Sequence, residues 1–367
     1  MKTRLCASCH QELQNNNEHA IGYIPLDFLK IERPLFCKRC YDIKFHNSIN
    51  DFEIDVSYKN ILQEIKETNS LVILIIDILN YRSILPEYLN TFLETNNSIL
   101  VINKIDLLPK SIKKEKILSF ITNTFSNFKI QKIILTSTMS KLNIPEFIQT
   151  IETFRENRDV YLLGATNSGK SSLINEYIKK YTNKTEELIA TSFYKNTTIR
   201  LISVPLGNNR YLYDTPGFSS NLSFYDFVDL KVFRYIVPSK EIKPIVYQIN
   251  RSSSLLFGNL LKLDIITEKP LSIVIYMANT IKIKRAKTDL KNETYTNITT
   301  NQKEIFPIMK SAPLLSKYSS TKFRINKEKT DIYLHGLGFL TLRNGVDSII
   351  ILNTPYEVLI EEVETFI

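Results

Sequence analysis

The 367-residue sequence has no tryptophan and only 9 glycines, and its 4 cysteines all lie within the first 40 residues. Long apolar runs are also missing: the most apolar one, Leu71 to Leu79, is nine residues long and contains Asp77. A run of that length is too short to cross a membrane and instead predicts a buried strand. No apolar signal region precedes the first cysteines. We therefore expect a soluble, cytoplasmic protein with no membrane partner.

The sequence does contain enough apolar material for folded cores. Hydrophobic residues make up 43% and aromatic residues 11%, which excludes a disordered chain, and the length predicts two or three domains. Lysine and arginine number 47 against 38 acidic residues, which gives a net charge of +9. This balance favours a polyanionic partner without identifying one.

The cysteines form two C-x-x-C pairs, Cys6 with Cys9 and Cys37 with Cys40. A disulfide framework is out of place in a chain without an export signal, and a redox motif needs one such pair at a strand-to-helix turn. Two pairs of thiolates suit a tetrahedral Zn²⁺ site, and four protein ligands make it structural because no position stays open for water. His10, beside the first pair, is interpreted as a surface histidine.

Apolar runs of strand length alternate with amphipathic helical segments between residues 71 and 164. This βαβ alternation predicts an α/β fold, with a mostly parallel sheet covered by helices on both faces. Helices are expected near 85–94, 111–125 and 145–157. From about residue 225 many short apolar runs predict a mixed, mostly β domain. We expect three domains: a zinc finger over 1–48, the α/β domain over 49–224, and a C-terminal domain over 225–367.

A phosphate-binding loop is predicted at 164–171, which reads G-A-T-N-S-G-K-S between an apolar strand and a helical segment. Glycines let backbone amides surround phosphates, and the helix N-terminus adds positive charge. Lys170 is expected to bridge the β- and γ-phosphates, and the Ser171 hydroxyl to bind Mg²⁺. The expected nucleotide ligands in this segment are Gly164, Asn167, Ser168, Gly169, Lys170, Ser171 and Ser172.

A second strand ends in the sequence D-T-P-G at 214–217, 44 positions after Lys170. The Asp214 carboxylate can hold Mg²⁺ through water, and the Gly217 amide can sense the γ-phosphate. Between the two motifs, the polar stretch 191–198 is either a plain loop or a switch that is ordered when triphosphate is bound. In the second interpretation Thr198, with Thr197 as the next choice, completes the magnesium shell.

The selectivity for one nucleotide base is predicted from the segment Asn103-Lys104-Ile105-Asp106, which directly follows an apolar strand. The Asp106 carboxylate can accept hydrogen bonds from N1 and N2 of guanine, whereas adenine has no such donor pair. Ser137-Thr138 follows the next strand and can place a backbone amide on guanine O6. The expected ligands are therefore GTP and GDP.

The motifs occur in an unusual order, with the guanine motifs at 103–138 and the phosphate and magnesium motifs at 164–217. The same sheet can result if the chain is cut and rejoined elsewhere, which is a circular permutation. This order places the switch stretch immediately before the C-terminal domain, so the γ-phosphate state could be relayed into that domain.

Residues 270–330 contain 12 Lys or Arg and 4 acidic residues. This segment alone therefore carries a charge of +8, which is most of the net charge of +9 of the chain. This segment is either a solvated lysine-rich loop or a surface that contacts a nucleic-acid backbone.

The two C-x-x-C pairs, the permuted nucleotide motifs and the basic C-terminal part together resemble the YqeH family of ribosome-assembly GTPases. The likeness extends to YDIKFHN at 41–47, PSKEIKP at 238–244 and TDI-x-x-x-GLG at 330–338. The resemblance implies a treble-clef zinc finger, GTP hydrolysis, and a role in maturing the small ribosomal subunit. The implied partner is ribosomal RNA or a small-subunit assembly particle, and no DNA partner is expected.

Some positions depart from the family pattern. Lys195-Asn196 replace Pro-Gly in the switch stretch, and Ala190 replaces a threonine. Phe218 follows D-T-P-G, as an apolar residue does in the family, and cannot orient water, so slow turnover is expected. Family-related enzymes with Asn in the phosphate loop use K⁺, which makes Asn167 a K⁺ ligand candidate. The catalytic residues are then Lys170, Thr198, Gly217 and Asn167.

The sequence leaves two functions from other classes open. One is a GTP-dependent enzyme of RNA modification, which needs a further nucleophile or cofactor motif that the sequence does not display. The other is a metabolic or redox enzyme in which the cysteines react.

Overall fold

The computed structural model describes residues 12–16, 23–25, 51–82, 85–181, 190–193, 200–218, 222–228, 230–258, 260–288, 319–354 and 357–366. The four cysteines and Thr198 lie outside the described residues, so the predicted zinc site and the switch threonine stay predictions.

A seven-stranded sheet forms the first half of the chain, in the order β3-β2-β1-β4-β7-β6-β5. The pairs β3-β2, β2-β1, β1-β4 and β4-β7 are parallel. The pairs β7-β6 and β6-β5, at the β5 edge of the sheet, are antiparallel. Its strands are β1 (Leu71–Asp77), β2 (Ser98–Asn103), β3 (Ile130–Leu135), β4 (Val160–Gly164), β5 (Ala190–Phe193), β6 (Arg200–Gly207) and β7 (Arg210–Asp214). The helices are α1 (Asp51–Thr68), α2 (Glu87–Thr95), α3 (Lys114–Thr124), α4 (Ile144–Phe154) and α5 (Lys170–Tyr181).

The central strands β1, β2 and β4 are buried along their whole length and are mostly apolar, because helices cover both faces of the sheet. On β1, Leu74 packs into a core shared with α1, α2 and α3, whereas Ile73 packs into a separate core shared with α4 and α5. Side chains of a strand alternate between faces, so one continuous apolar run supplies both cores. The predicted α/β fold with a mostly parallel sheet is confirmed.

Helix boundaries differ from the predicted ones by a few residues. Helix α2 begins at Glu87, after Pro86 in an extended conformation, and not at Leu85. Proline lacks an amide hydrogen and is suited to the start of a helix, which explains the shift. Among the described residues, no helix is both long enough and apolar enough to cross a membrane.

The C-terminal part consists of two five-stranded antiparallel sheets, β12-β9-β10-β16-β13 and β17-β14-β15-β11-β8. Their facing side chains form one apolar core. The strands are β8 (Ile245–Ile249), β9 (Ser253–Phe257), β10 (Leu261–Ile266), β11 (Leu271–Met277), β12 (Ile283–Lys287), β13 (Ser319–Arg324), β14 (Lys329–Leu334), β15 (Gly338–Arg343), β16 (Ile349–Thr354) and β17 (Ile360–Val363). Two short helices, α6 (Phe224–Phe227) and α7 (Leu230–Ile236), precede them.

The second of these sheets packs its outer face against the first half of the chain. The Tyr81 ring lies 5.2 Å from the Tyr333 ring, and the Phe120 ring lies 4.6 Å from the Phe366 ring. The Tyr333 hydroxyl also donates a hydrogen bond to the Leu79 carbonyl. The turn after β1 is therefore in direct contact with the C-terminal sheets.

Candidate nucleotide-binding site

The loop from Gly164 to Lys170 joins β4 to α5 at the carboxyl edge of the parallel sheet. Asn167 and Gly169 have φ angles of 62° and 93°, which let the loop turn back toward the helix. The loop is attached to the D-T-P-G segment because the Thr166 amide donates to the Phe218 carbonyl and the Phe218 amide donates to the Gly164 carbonyl. These bonds fix the loop in place, and a fixed loop at a helix N-terminus is suited to phosphate.

Gly169 packs directly against the guanine motif. A Cβ at this position would lie 2.1 Å from Asn103 Nδ2, so only glycine fits. The Asn103 side chain is fully buried, and its Nδ2 donates to the Ser168 carbonyl at 3.0 Å. Asn103 and Ser168 lie 65 positions apart in the sequence. The guanine motif and the phosphate loop, which occur in permuted order along the chain, thus meet at the edge of one sheet.

Lys170, Ser171 and Asp214 lie together at the start of α5. The Lys170 ammonium donates to the Gly164 carbonyl at 3.2 Å, inside the loop, and the Ser171 hydroxyl donates to Asp214 Oδ2 at 3.3 Å. Burial raises the pKa of the Asp214 carboxyl, although the Lys170 charge and the Ser171 hydrogen bond oppose that rise. Asp214 Oδ1 is buried and has no hydrogen-bond partner within the described part of the chain.

The remaining D-T-P-G residues anchor this end of the site. The Thr215 hydroxyl donates to the Leu162 carbonyl at 2.8 Å and lies 3.0 Å from the Tyr58 hydroxyl. Tyr58 also donates to the Pro216 carbonyl from the centre of α1. Gly217 packs against the phosphate loop, because a Cβ there would lie 2.9 Å from the Thr166 Cα.

The guanine end of the site is built from the loops after β2 and β3. Asn103 Oδ1 accepts from the Thr136 hydroxyl at 3.3 Å, and the Ile105 amide donates to the Thr136 carbonyl at 3.1 Å. Lys104 has a left-handed backbone, and its ammonium lies 2.7 Å from Asp77 Oδ2. Asp106 is the middle residue of the 3-10 turn Ile105–Leu107, and its Oδ1 is buried without a partner among the residues that the structure describes.

Ser137 and Thr138 follow β3 at this end. The Ser137 amide donates to the Leu142 carbonyl at 3.2 Å, and its hydroxyl accepts from the Ser140 amide at 3.0 Å. Ser137 is therefore engaged within its own loop, and Thr138 is the partly exposed member of the pair.

The structure brings the predicted guanine, phosphate and Asp214 residues to one edge of the sheet. Asn167 is exposed at the tip of the phosphate loop, and Ser172 is exposed on the first turn of α5. Phe218 is 2% exposed and packs in the core, so it does not face solvent near the loop.

Three residues that shape the site were missed from the sequence. Thr136 has no signal beyond its place at the end of a strand, and Tyr58 has none, because its contact lies 157 positions away. Asp77 did carry a signal, since an acidic residue at the carboxyl end of a buried strand lies at the edge where ligands bind.

A phosphate loop and an N-K-x-D loop that meet at the carboxyl edge of a mostly parallel sheet define the class of P-loop GTPases, here with the motifs in permuted order. Residues 69–223 match the family profile described as RsgA GTPase, and residues 270–362 match the profile YqeH-like, C-terminal. The chain is 33% identical to the protein YqeH of Bacillus subtilis over 353 residues, which covers 94% of each chain. It belongs to the YqeH family of GTPases.

More distant relatives cover less of the chain. The NO-associated protein 1 of Arabidopsis thaliana is 25% identical over 240 residues, which cover 58% of this chain and 43% of that protein. The crystal structure of YjeQ from Thermotoga maritima matches 41% of this chain and 48% of that one, at 22% identity and a TM-score of 0.27.

Proposed function

We propose that this protein is a molecular switch that binds GTP and GDP with Mg²⁺, hydrolyses GTP, and acts in the cytoplasm in assembly of the small ribosomal subunit. The observation that carries the proposal is the contact of Asn103 Nδ2 with the Ser168 carbonyl at 3.0 Å. This contact joins the base-selecting motif to the phosphate loop, so one nucleotide can touch both. Membership of a GTPase family supports the same conclusion.

The residues at the start of α5 fit a magnesium ion. Mg²⁺ prefers oxygen ligands and commonly keeps several waters, and the Ser171 hydroxyl and the Asp214 carboxylate are oxygen donors 3.3 Å apart. Asp214 Oδ1, which has no hydrogen-bond partner among the described residues, gives this site a buried acceptor that such an ion and its water would satisfy. When bound, the ion neutralises charge on the phosphates, and Thr198 is the further ligand that we propose for the triphosphate state.

Base selection is assigned to Asp106, whose buried Oδ1 has no partner among the described residues. A guanine base would satisfy it through N1 and N2, whereas adenine would leave the acceptor unpaired. Because the Ser137 amide is already bonded to Leu142, the Thr138 amide is our choice for guanine O6.

Titration calorimetry with GDP, ADP and xanthosine diphosphate tests this assignment. The unmodified protein is expected to bind GDP at least a thousandfold more tightly than ADP. Asp106→Asn should reverse the preference toward xanthosine diphosphate, since a base carbonyl then faces an amide donor. Asp347→Asn, at an exposed aspartate far along the chain, is the matched control. Equal binding of ADP and GDP by the unmodified protein would refute the proposal.

Hydrolysis is proposed to be slow and stimulated by K⁺. Phe218 is buried and apolar, so it offers no group that orients an attacking water. Asn167 is exposed at the tip of the phosphate loop, where a monovalent cation could offset charge on the phosphates. Phosphate release measured in K⁺ and in Na⁺ tests the proposal, and equal rates in the two salts would remove the K⁺ part of it.

The ribosomal RNA contact is assigned to the basic edges of the first C-terminal sheet. Lys284 on β12 and Lys322 and Arg324 on β13 are exposed, and the strand register across the sheet places them on one face. Exposed cations on one face suit the phosphate backbone of RNA. Lys322→Glu with Arg324→Glu should weaken co-sedimentation with small-subunit particles in a non-hydrolysable GTP analogue, whereas Lys269→Glu in a turn should not. If the unmodified protein co-sedimented equally with the particles in GDP and in the analogue, the proposal of a molecular switch would be contradicted.

Structural zinc on Cys6, Cys9, Cys37 and Cys40 is the last part of the proposal. Two C-x-x-C pairs supply the four thiolates that tetrahedral Zn²⁺ requires. Metal analysis of the purified protein should give one zinc per chain, and a Cys37→Ser variant should lose it.

A further inference from the structure

Asp77 links the guanine motif to the rest of the molecule. It ends β1, directly opposite Asn103 on β2, and its side chain is 5% exposed. Its Oδ1 accepts from the Leu79 amide at 2.9 Å, and its Oδ2 accepts from the Lys104 ammonium at 2.7 Å. Both carboxylate oxygens are thus engaged, one by the backbone and one by the lysine of the guanine motif.

Lys104 needs such an anchor. It follows the buried Asn103 and has φ 64° and ψ 32°, a left-handed conformation that residues other than glycine rarely adopt. Its side chain is long and has many rotamers, yet only 20% of it is exposed. The short ion pair with Asp77 restricts those rotamers and sets the direction of the methylene stem.

We propose that Asp77 is a positioning residue for guanine binding, which holds the Lys104 ammonium so that the lysine stem forms a fixed apolar wall for the purine ring. This inference rests on the proposed function, since it concerns the same site. Lysine side chains pack their stems on apolar surfaces while the charged end stays solvated or paired. A stem that is already ordered loses less conformational freedom when the nucleotide binds, so affinity rises.

The Asp77 carboxylate is itself fixed from the C-terminal side. Asn80 Nδ2 lies 3.4 Å from Asp77 Oδ2 and 3.3 Å from the Tyr225 hydroxyl. Asn80 Oδ1 accepts from the Gly336 amide at 3.2 Å. The anchor for Lys104 therefore does not depend on the lysine for its own position.

A purely structural role for Asp77 is the competing explanation, because Oδ1 also caps the turn at Ile78–Asn80. Asp77→Asn separates the two roles: it keeps an oxygen for the Leu79 amide and removes the charge that holds Lys104. Removal of a negative charge near a polyanionic ligand would by itself strengthen binding. A loss of affinity in this variant therefore cannot be a simple charge effect.

The test measures binding of GDP and of inosine diphosphate, which lacks the 2-amino group, by calorimetry. Asp77→Asn is expected to bind both nucleotides about tenfold more weakly, with their affinity ratio unchanged, because the stem contacts the ring of either base. Asp106→Asn, in contrast, should change the ratio. Lys104→Met, which keeps a stem but has no ammonium, should lose about the same factor as Asp77→Asn.

In a Lys104→Met background, Asp77→Asn should have no further effect on affinity. A further tenfold loss there, or binding within twofold of the unmodified protein in either single variant, would overturn the inference. Lys104→Met alone decides the matter if Asp77→Asn does not fold. If the unmodified protein binds neither nucleotide, the proposed function fails; if it binds both and the variants match it, only this inference fails.

Discussion

The Gly336 amide donates a hydrogen bond to Asn80 Oδ1 at 3.2 Å, across 256 positions of sequence. Gly336 lies in the turn between β14 and β15 and has φ +83°, and a Cβ there would lie 2.1 Å from Ser223 Oγ. The Phe224 amide donates to the His335 carbonyl at 2.8 Å in the same region. This glycine therefore sits where the turn after β1, the start of α6 and the β14–β15 turn converge.

Gly336→Ala is expected to lower the free energy of unfolding by about 2–3 kcal/mol, since the left-handed backbone costs about 1 kcal/mol and the contact with Ser223 adds to it. Gly207→Ala is the matched control, because Gly207 has the same φ of +83° and no atom within 4 Å of its added Cβ. Urea unfolding of both variants measures the difference. Equal losses would mean that the contact at Gly336 is relieved without cost.

Much of the fold could be predicted from local patterns, and its tertiary contacts could not. The nine-residue run at Leu71 predicted β1, and the run at 330–342 corresponds to β14 and β15 with Gly336 in the turn between them. His335, directly before this turn, is buried, and its Nε2 lies 2.8 Å from Glu361 Oε2. The partners Asn80 and Glu361 have no local signal, because a pattern of neighbours carries no information about distant residues.

In the nucleotide site, too, local motifs could be predicted from the sequence and contacts between distant residues could not. Gly169 and Asn103 could be assigned to one nucleotide from their motifs, since each requires a strand end and both strands belong to one sheet. The anchoring of Lys104 by Asp77 could not, because it depends on β1 lying directly beside β2. Parallel neighbours of this kind are set by topology and not by sequence distance.

Asn103→Asp tests the contact between the two motifs. Asn103 Nδ2 donates to the Ser168 carbonyl, and in the variant a carboxylate oxygen faces that carbonyl in a fully buried position. Loss of the donor is expected to lower the free energy of unfolding by about 2–4 kcal/mol and GDP affinity at least tenfold. Calorimetry and urea unfolding measure the two effects. Unchanged GDP affinity in a folded variant would show that the contact does not organise the site.

Asp331 gives the stability a defined pH dependence. It is fully buried, its Oδ1 accepts from the Thr341 hydroxyl at 2.6 Å, and its Oδ2 accepts from the Phe366 amide at 2.8 Å. Burial raises the pKa of this carboxyl to about 6, although those hydrogen bonds and the charges of Lys329 and Lys116 oppose the rise. The ordinary value is 3.8, so between these two values the folded state holds a proton that the unfolded state releases.

The free energy of unfolding is therefore expected to fall as pH rises through this range, by about 1–2 kcal/mol between about pH 5 and pH 7.5 from Asp331 alone. Asp331→Asn should remove that component, whereas Asp347→Asn, at an exposed aspartate, should leave it in place. Glu361, whose pKa the His335 hydrogen bond lowers to about 2, stabilises the fold above pH 4.5 and loses that effect only at lower pH. Urea unfolding at the two pH values decides the matter, and parallel pH profiles for Asp331→Asn and the unmodified protein would contradict it.

A buried ion pair lies on the first C-terminal sheet. Lys262 Nζ lies 3.0 Å from Asp264 Oδ2, and their side chains are 1% and 3% exposed. Asp264 also accepts hydrogen bonds from Ser254 and Asn353. Lys262→Met is expected to lower the free energy of unfolding by about 3–5 kcal/mol, because a buried carboxylate then lacks its ion-pair partner.

The exposed pair of Arg324 with Asp347, 3.8 Å apart and 72% and 65% exposed, provides the control. Arg324→Met should change the free energy of unfolding by no more than about 0.5 kcal/mol, since solvent screens that pair. Asp264→Asn added to Lys262→Met should restore part of the loss, because the neutral amide needs no counter-charge. A double variant less stable than Lys262→Met would mean that the acceptor geometry of Asp264, and not its charge, dominates this part of the sheet.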